Sequence, residues 1–287
     1  MNPRVVELVE LLRIEQLERN LFRGVSGDVG SSAVFGGQVL GQAVMAAAAT
    51  VEARNLHSLH AYFLRPGDKN ARIVYEVERI RDGGSFTTRR VVAVQHGQPI
   101  FNFAASFHAL QDGPAHAMPM PDVKRPEELL NEAQLRLTRL RRGPELRRVP
   151  LHDDMPIEIR PLRPLDPFEP EAQPPLDSWW MRVADRLPDD PALHQALLAY
   201  ASDFGFVRTA MLPHGLSFYQ PHVQVVSLDH AMWFHDTFRF DEWMLYATDS
   251  PAAGRARGFV RGSLFTLDGR LVASAAQEGL IRLRRSA

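Results

Sequence analysis

Residues 29–51, "VGSSAVFGGQVLGQAVMAAAATV", decide the fold because they contain no charged side chain. Gln38, Gln42 and the serines make the stretch too polar for a membrane span. A helix that is uncharged around its whole circumference must be enclosed by protein. Gly37 and Gly41, four residues apart, would let a neighbouring backbone approach closely. We therefore predict a buried helix in this stretch, enclosed by a sheet that curls around it.

Two halves of the chain resemble each other in the same order along the sequence. The matched pairs are "VFGGQVLGQAVMA" (34–46) with "DFGFVRTAMLPHG" (203–215), "HAYFLRP" (60–66) with "HAMWFHD" (230–236), and "GQPIFNFAAS" (97–106) with "DGRLVASAAQ" (268–277). Three collinear matches predict the duplication of a unit of roughly 110 residues. Each unit has the pattern of a short strand, a buried helix and several antiparallel strands.

The segment between the two units has a different composition. Thirteen of the chain's 21 prolines fall between residues 111 and 175, where they interrupt helix formation. We predict an N-terminal repeat over residues 1–110, a proline-rich linker over 111–175 with one short amphipathic helix at 126–142, and a C-terminal repeat over 176–287. The first twenty residues carry acids among apolar residues, a pattern that predicts an amphipathic helix and not a signal peptide.

Composition and charge indicate a soluble, folded protein. The hydrophobic fraction is 45%, the charged fraction is 23%, and the formal net charge is −1. Such a charge provides no overall field for nucleic acid or an anionic membrane. The chain has no cysteine, which excludes disulfides, thiolate zinc sites and a cysteine nucleophile. This composition fits a reducing cytoplasm.

Several long motifs, taken in order, resemble one known family. They are "VFGGQVLGQA", "HSLHAYFLRPGD", "YASDFGF", "LDHAMWFH" and "ARGFVRGSLFTLDGRLVASAAQEG". Over roughly residues 5–283 the chain resembles the acyl-CoA thioesterase II family. The resemblance implies an α+β fold of the double hotdog type, in which two repeats each wrap an antiparallel sheet around a central helix.

The resemblance also implies an activity and a set of site residues. The activity is hydrolysis of acyl-CoA to free fatty acid and CoA by a water that an Asp, a Thr or Ser, and a Gln hold together. These residues fall on Asp203, Ser227 and Gln277, where Ser227 stands in place of a frequent Thr. The implied partner is acyl-CoA, with no cofactor and no metal, and the implied assembly is a homodimer or homotetramer.

The implied chemistry suits these residue types. A thiolate leaves readily because thiols have a pKa near ~8.5, so water can attack the thioester directly. Asp203 can take the proton, while Ser227 and Gln277 can hold the water. By the repeat alignment their first-half counterparts are Val34, Leu56 or His57, and Ser106. This set contains no carboxylate and no amide, so we expect only the C-terminal repeat to be catalytic.

Residues 225–236, "VVSLDHAMWFHD", admit three interpretations: a metal site, a Ser/His/Asp nucleophilic centre, or one functional hydroxyl on a buried strand. His230 and His235 are five residues apart, so on a strand they face opposite sides and cannot share a metal. No G-x-S-x-G motif occurs in the chain. The third interpretation remains, with Ser227 as the functional group and the histidines as structural residues.

Two other functions keep the same fold. One is a non-catalytic acyl-CoA binding protein, which a thiol-release assay would distinguish from an enzyme. The other is an enoyl-CoA hydratase-like enzyme, which uses an Asp and a His in a G-D-x-N-P-x-H motif. Residues 67–73, "GDKNARI", match only its Gly, Asp and Asn.

Overall fold

The computed structural model describes residues 2–140 and 155–284. Helix α1 spans Pro3–Leu12, with Asn2 as its N-cap and Pro3 in its first turn. It buries Val5, Leu8, Val9 and Leu12, which share one face at helical spacing. The amphipathic pattern of the first twenty residues therefore ends earlier than we predicted, because Glu15–Glu18 form strand β1.

The uncharged stretch forms helix α2, Gly36–Ala48, and this helix is buried as predicted. Its two glutamines are satisfied inside the protein. Gln38 accepts from the Gly27 N–H and donates to the Val25 carbonyl, at 2.9 and 3.0 Å. Gln42 accepts from the Tyr75 hydroxyl at 2.6 Å. A polar side chain can be buried at little cost when its hydrogen bonds are made in this way.

The described residues form thirteen strands of one sheet. The first-half strands after β1 are β2 Leu21–Gly24, β3 Asn55–Phe63, β4 Ile73–Asp82, β5 Phe86–Gln95 and β6 Gln98–His108. The second-half strands are β8 Leu176–Val183, β9 Val223–Ser227, β10 Asp229–Phe234, β11 Met244–Gly254, β12 Arg257–Thr266 and β13 Leu271–Leu283.

Both halves use the same strand order. In the first half the order across the sheet is β2-β4-β5-β6-β3, and in the second half it is β8-β11-β12-β13-β10. The two orders meet where β3 pairs antiparallel with β10. Each half has one buried helix early in its chain. Helix α2 lies between β2 and β3 in the sequence, and helix α4, Pro191–Ser202, lies between β8 and β10. A short helix α5, Arg208–Met211, follows α4.

The two buried helices pack against each other through the glycines of α2. A Cβ added at Gly37 would lie 2.3 Å from the Tyr200 carbonyl oxygen, and one at Gly41 would lie 3.0 Å from the Ala196 carbonyl oxygen. The later residue of α2 contacts the earlier residue of α4, so the helices run antiparallel. The close backbone approach that we predicted from the Gly37/Gly41 spacing is therefore made by α4.

The proline-rich segment is more structured than a linker with a single helix. A 3₁₀ turn covers Pro126–Glu128, and helix α3 covers Glu132–Leu140. The last two residues of the helix predicted at 126–142 lie outside the described residues. Residues Ile157–Pro161 form strand β7, which pairs with β8 at the edge of the sheet. Alternation in this short strand is weak, so its sequence did not predict it.

The residue-by-residue repeat alignment was wrong at three of its pairs. One is His60 with His230, since His60 is exposed whereas His230 is buried. Val34 is not the counterpart of Asp203, because Val34 precedes α2 whereas Asp203 follows α4. Ser106 is not the counterpart of Gln277, because Ser106 lies on the outer face of the sheet and donates to or accepts from His57 at 2.8 Å. Gln277 is fully buried. Side chains alternate between faces along a strand, so an alignment error of one residue exchanges the two faces.

Within the described ranges, none of the helices combines the length and apolar character that crossing a membrane would need.

Candidate active site

Asp203 lies at the carboxyl end of α4, where it is the C-cap residue. Gly205, two residues later, adopts φ +65° and turns the chain away from the helix axis. The Asp203 side chain is only 9% exposed. Burial of a carboxylate is costly unless donors surround it, so the neighbours of this group matter.

Two side-chain donors converge on one oxygen of Asp203. Gln277 Nε2 donates to Oδ1 at 2.7 Å, and Ser227 Oγ donates to the same atom at 3.2 Å. Ser227 ends β9 and Gln277 lies in β13, and these strands are neighbours with Ser227 opposite Gly279. The structure therefore brings together the three site residues that we predicted from the sequence.

The first half supplies a further donor from the start of α2. The backbone N–H of Gly37 donates to the Asp203 carboxyl. A Cβ added at Gly36 would lie 2.7 Å from Asp203 Oδ2, so a larger residue there would collide with the carboxylate. The amino end of a helix carries partial positive charge, which favours an anion. Sequence reasoning did not name these donors, although the consecutive glycines at a helix start are a signal for them.

The surroundings of Asp203 raise its pKa to about 6. Burial is the largest cause and raises the pKa, while the hydrogen bonds from Gln277, Ser227 and the Gly37 N–H lower it. At neutral pH the group is therefore mainly ionised, yet it binds a proton more strongly than an exposed aspartate. A pKa close to the working pH is the property that a general base requires.

Aromatic side chains pack together where the start of α2 meets the end of α4. The ring of Phe35 stacks on Phe204 with centroids 4.6 Å apart and meets Tyr200 edge-on at 5.2 Å. Phe35 is the N-cap of α2, and Phe204 follows Asp203 directly. Asp203 itself is largely buried, and burial strengthens electrostatic interactions at the carboxylate.

The histidines of residues 225–236 lie on opposite faces, as their spacing predicted. His230 is fully buried, and its Nε2 lies 2.9 Å from Ser202 Oγ. His235 is exposed and its Nε2 contacts Ser274 Oγ at 2.8 Å. In residues 2–140 and 155–284, no group of three or more histidines and acidic residues is arranged to hold a metal ion.

The hydratase-like motif at 67–73 does not contribute to this site. The Asp68 carboxylate accepts from the Asn70 N–H at 2.9 Å and contacts His96 Nε2 at 2.9 Å on the exposed surface. The Gln95 side chain accepts from the Asp68 N–H at 2.8 Å and donates to the Asp68 carbonyl oxygen at 2.9 Å. These contacts place residues 67–72 in the turn region between β3 and β4.

Comparison with known families covers both halves of the chain. The model described as "Acyl-CoA thioesterase" matches residues 153–280. The model described as "Acyl-CoA thioesterase N-terminal domain" matches residues 25–108. The N-terminal match includes Gly36 and Gly37, and the other match includes Asp203, Ser227 and Gln277.

Individual proteins agree with the family models. Human acyl-coenzyme A thioesterase 8 is 43% identical over 98% of this chain and 90% of its own length. The crystal structure of the acyl-CoA thioesterase II TesB2 from Mycobacterium marinum is 40% identical, covers 96% of this chain and 98% of its own, and superposes with a TM-score of 0.78. The crystal structure of a conserved protein with a hot dog fold from Alicyclobacillus acidocaldarius superposes with a TM-score of 0.79 over 97% of this chain and 99% of its own. At 19% identity it supports the fold alone. The chain has the hotdog fold and belongs to the acyl-CoA thioesterase family.

Proposed function

We propose that this protein hydrolyses fatty acyl-CoA to free fatty acid and CoA by direct attack of a water bound to Asp203, Ser227 and Gln277. The observation that carries the proposal is the convergence of Gln277 Nε2 and Ser227 Oγ on Oδ1 of a buried carboxylate whose pKa is about 6. Family membership supports the substrate class, and the geometry supports the roles of the residues.

The reaction needs one base and donors for one oxyanion. The water gives a proton to Asp203 as its oxygen bonds to the thioester carbonyl carbon, and the carbonyl oxygen becomes an oxyanion. The tetrahedral intermediate then collapses, the carbon–sulfur bond breaks, and CoA leaves as a thiolate that takes up a proton. Ser227 and Gln277 hold the water at a fixed angle. The Gly37 N–H is bonded to Asp203, so the N–H of Gly36 at the start of α2 is our candidate for an oxyanion donor.

Ser227 is not arranged as a nucleophile. Its hydroxyl donates to Asp203, whereas the nearby imidazole of His230 has its Nε2 against Ser202. A serine nucleophile is usually activated by a histidine that a carboxylate orients, and among the described residues Ser227 has no histidine in hydrogen-bond contact. The contacts of Ser227 therefore favour a role in holding water, with no acyl-enzyme intermediate.

We interpret the two halves as two hotdog repeats, a double hotdog. The shared strand order and the paired helices α2 and α4 support this interpretation. We keep the division into residues 1–110, 111–175 and 176–287, with the catalytic residues in the last part. Because Gly36 and Gly37 contact Asp203, we expect neither repeat to be active alone.

Two further properties remain proposals. We propose a homodimer or homotetramer, which the exposed aromatic residues on the outer face of β3, β10 and β12 support, namely Tyr62, Trp233 and Phe259. Sedimentation velocity tests the oligomeric state. We propose a cytoplasmic location because the chain contains no cysteine, and cell fractionation tests it.

A thiol-release assay with acyl-CoAs of increasing chain length tests the proposed activity. We expect CoA release that is proportional to enzyme concentration and is lost in the Asp203→Asn variant. Rapid quenching followed by intact-mass measurement tests the direct attack of water, and we expect unmodified protein at every time point. Binding of acyl-CoA without turnover would contradict the hydrolysis, and an acyl adduct on Ser227 would contradict the mechanism.

A further inference from the structure

His230 lies in the interior next to the candidate active site, although its sequence context had suggested a structural role. Its side chain is fully buried, with Nε2 at 2.9 Å from Ser202 Oγ. Ser202 is the last residue of α4 and immediately precedes Asp203. The imidazole therefore lies beside the helix end that carries the proposed base.

The strand register places His230 directly beside Gln277. In the β10–β13 pair, Ala231 is opposite Ala276 and Met232 is opposite Ala275, so the next position pairs His230 with Gln277. Both side chains are fully buried on the same face of the sheet. Directly opposite residues of antiparallel strands have Cβ atoms about 5 Å apart, close enough for their polar groups to interact.

The hydrogen bonds of Gln277 require a donor on the side of His230. Gln277 Nε2 donates to Asp203 Oδ1, which directs Oε1 away from the carboxylate. Gln277 Oε1 and His230 Nδ1 are both buried, and neither has a partner in hydrogen-bond geometry among the described residues. A buried carbonyl oxygen needs a donor, and Nδ1–H of His230 is the group opposite it.

The protonation state of His230 is compatible with this role. Burial lowers the pKa of His230 to about 4, with a smaller opposing effect of a hydrogen bond to Gln277. At neutral pH the ring is therefore uncharged and carries one N–H, on either Nε2 or Nδ1. With the proton on Nε2, the lone pair of Nδ1 would face the lone pairs of Gln277 Oε1. With the proton on Nδ1, the Ser202 hydroxyl turns from the Ala199 carbonyl oxygen, 2.8 Å from Oγ, to donate to Nε2 at 2.9 Å. In exchange the buried Gln277 Oε1 gains the donor that it otherwise lacks.

We infer that His230 is a positioning residue, which accepts from the Ser202 hydroxyl at Nε2 and donates from Nδ1 to Gln277 Oε1, and so turns the Gln277 amide nitrogen toward Asp203. This inference rests on the proposed function, because it assigns His230 an effect only through Gln277. The result is a directional series of hydrogen bonds from Ser202 through His230 and Gln277 to the carboxylate.

Two substitutions separate this role from simple packing. His230→Leu fills the space and removes the donor, so kcat falls about 10- to 100-fold while KM stays within about threefold. His230→Asn places an amide N–H near the position of Nδ1, so it restores kcat to within about fivefold of wild type. Melting temperatures show that both variants are folded. His60→Leu is the matched control, because His60 lies on the adjacent strand but on the exposed face, and its kcat stays within about twofold of wild type.

The pH profile adds a readout that packing alone does not change. The hydrogen bond from Gln277 lowers the pKa of Asp203. If His230→Leu releases the Gln277 amide, the pKa of Asp203 rises, and the acidic limb of kcat/KM moves to higher pH. His230→Asn returns the limb to its wild-type position.

A double-mutant cycle with Gln277→Ala completes the test. In the Gln277→Ala background, adding His230→Leu changes kcat less than about twofold, since His230 then has nothing to position. Three outcomes would each overturn the inference. The losses of kcat from His230→Leu and Gln277→Ala could multiply in the double variant. Alternatively, folded His230→Leu could keep the wild-type kcat, or His230→Asn could fail to recover it. If Gln277→Ala alone keeps the wild-type kcat, the role proposed for Gln277 in hydrolysis fails together with the inference. If Gln277→Ala loses activity but His230→Leu does not, only the inference about His230 fails.

Discussion

The carboxyl ends of the two buried helices carry opposite charges. At the end of α4 lies Asp203, a carboxylate with two side-chain donors. At the end of α2 lies Thr50, whose Oγ1 and carbonyl oxygen accept from Arg89 at 2.8 and 3.1 Å. Arg89 comes from β5, is 1% exposed, and also donates to Asp82 at 2.6 Å. A carboxylate thus occupies one helix end and a guanidinium lies against the other.

The carboxyl end of α2 is arranged for stability, whereas the carboxyl end of α4 is arranged for reactivity. The carboxyl end of a helix carries partial negative charge, so a cation there stabilises the helix and an anion destabilises it. Arg89 follows this rule and Asp203 violates it. The cost at Asp203 is reduced by the amino end of α2, through the Gly37 N–H. Departures from local rules of this kind concentrate at functional sites.

Asp203→Asn should give the largest loss of activity. The amide cannot accept the proton from water, so kcat falls by about 10² to 10⁴, the usual contribution of a general base. The same variant should melt at the wild-type temperature or above it at pH 7, because it removes a buried charge whose pKa is raised. Thiol release and thermal melting measure the two effects.

Asp68→Asn is the control for that prediction, since Asp68 is an exposed carboxylate in the hydratase-like stretch at 67–73. Its kcat should remain at the wild-type value. Activity of Asp203→Asn within threefold of wild type, with an unchanged fold, would contradict the assignment of the base.

Substitutions of Ser227 should lower kcat less than Asp203→Asn does, and only when they remove the hydroxyl. Ser227→Ala removes a positioned donor and lowers kcat about 10- to 10³-fold, whereas Ser227→Thr keeps the hydroxyl and stays close to wild type. Ser106→Ala is the matched control, because that hydroxyl lies on the outer face against His57. Equal activities of Ser227→Ala and Ser106→Ala would show that the contact with Asp203 has no role in turnover.

The raised pKa of Asp203 predicts an acidic limb in the pH profile. The base acts only when ionised, so kcat/KM falls about tenfold for each pH unit below about 6. Stability has the opposite dependence for this group. A raised pKa means that the folded protein binds the proton more tightly, so the contribution is present at low pH and is lost as pH rises through about 6.

Melting wild type and Asp203→Asn side by side from pH 4 to pH 8 measures that dependence. Relative to the variant, wild type should lose stability as the pH rises. A pH-independent difference, or an acidic limb near pH 4, would place the pKa of Asp203 at its ordinary value.

The sequence predicted those features that depend on local pattern. The uncharged run predicted the buried helix α2, and the Gly37/Gly41 spacing predicted a close backbone neighbour. The motif resemblance selected Asp203, Ser227 and Gln277, which the structure places together. Each of these features is encoded by residues close to one another in the chain or by a long matched motif.

The missed features depend on contacts between distant segments or on strand register. Nothing near Gly36 in the sequence indicates that it meets Asp203, which lies in the other half. The pairing of Ser106 with Gln277 failed because side chains alternate between the two faces along a strand, so an error of one residue replaced a buried position by an outer one. The position of His230 beside Gln277 follows only from the register of β10 and β13.

The smallest effect on activity is expected at the first-half helix end. Arg89→Met keeps the length of the side chain but removes the donors to Thr50, which leaves its buried hydroxyl and carbonyl oxygens without that partner. Unsatisfied buried acceptors of this kind cost about 1–3 kcal/mol of unfolding free energy, which denaturant titration can measure. Since Arg89 contacts α2 at the end opposite to Gly36 and Gly37, kcat should stay within about threefold of wild type.

Arg90→Met, at the next and exposed position of β5, is the control and should change neither the unfolding free energy nor kcat. A large loss of kcat in Arg89→Met without a loss of stability would show that the first-half helix end takes part in catalysis, and the contrast between the two ends would then be wrong.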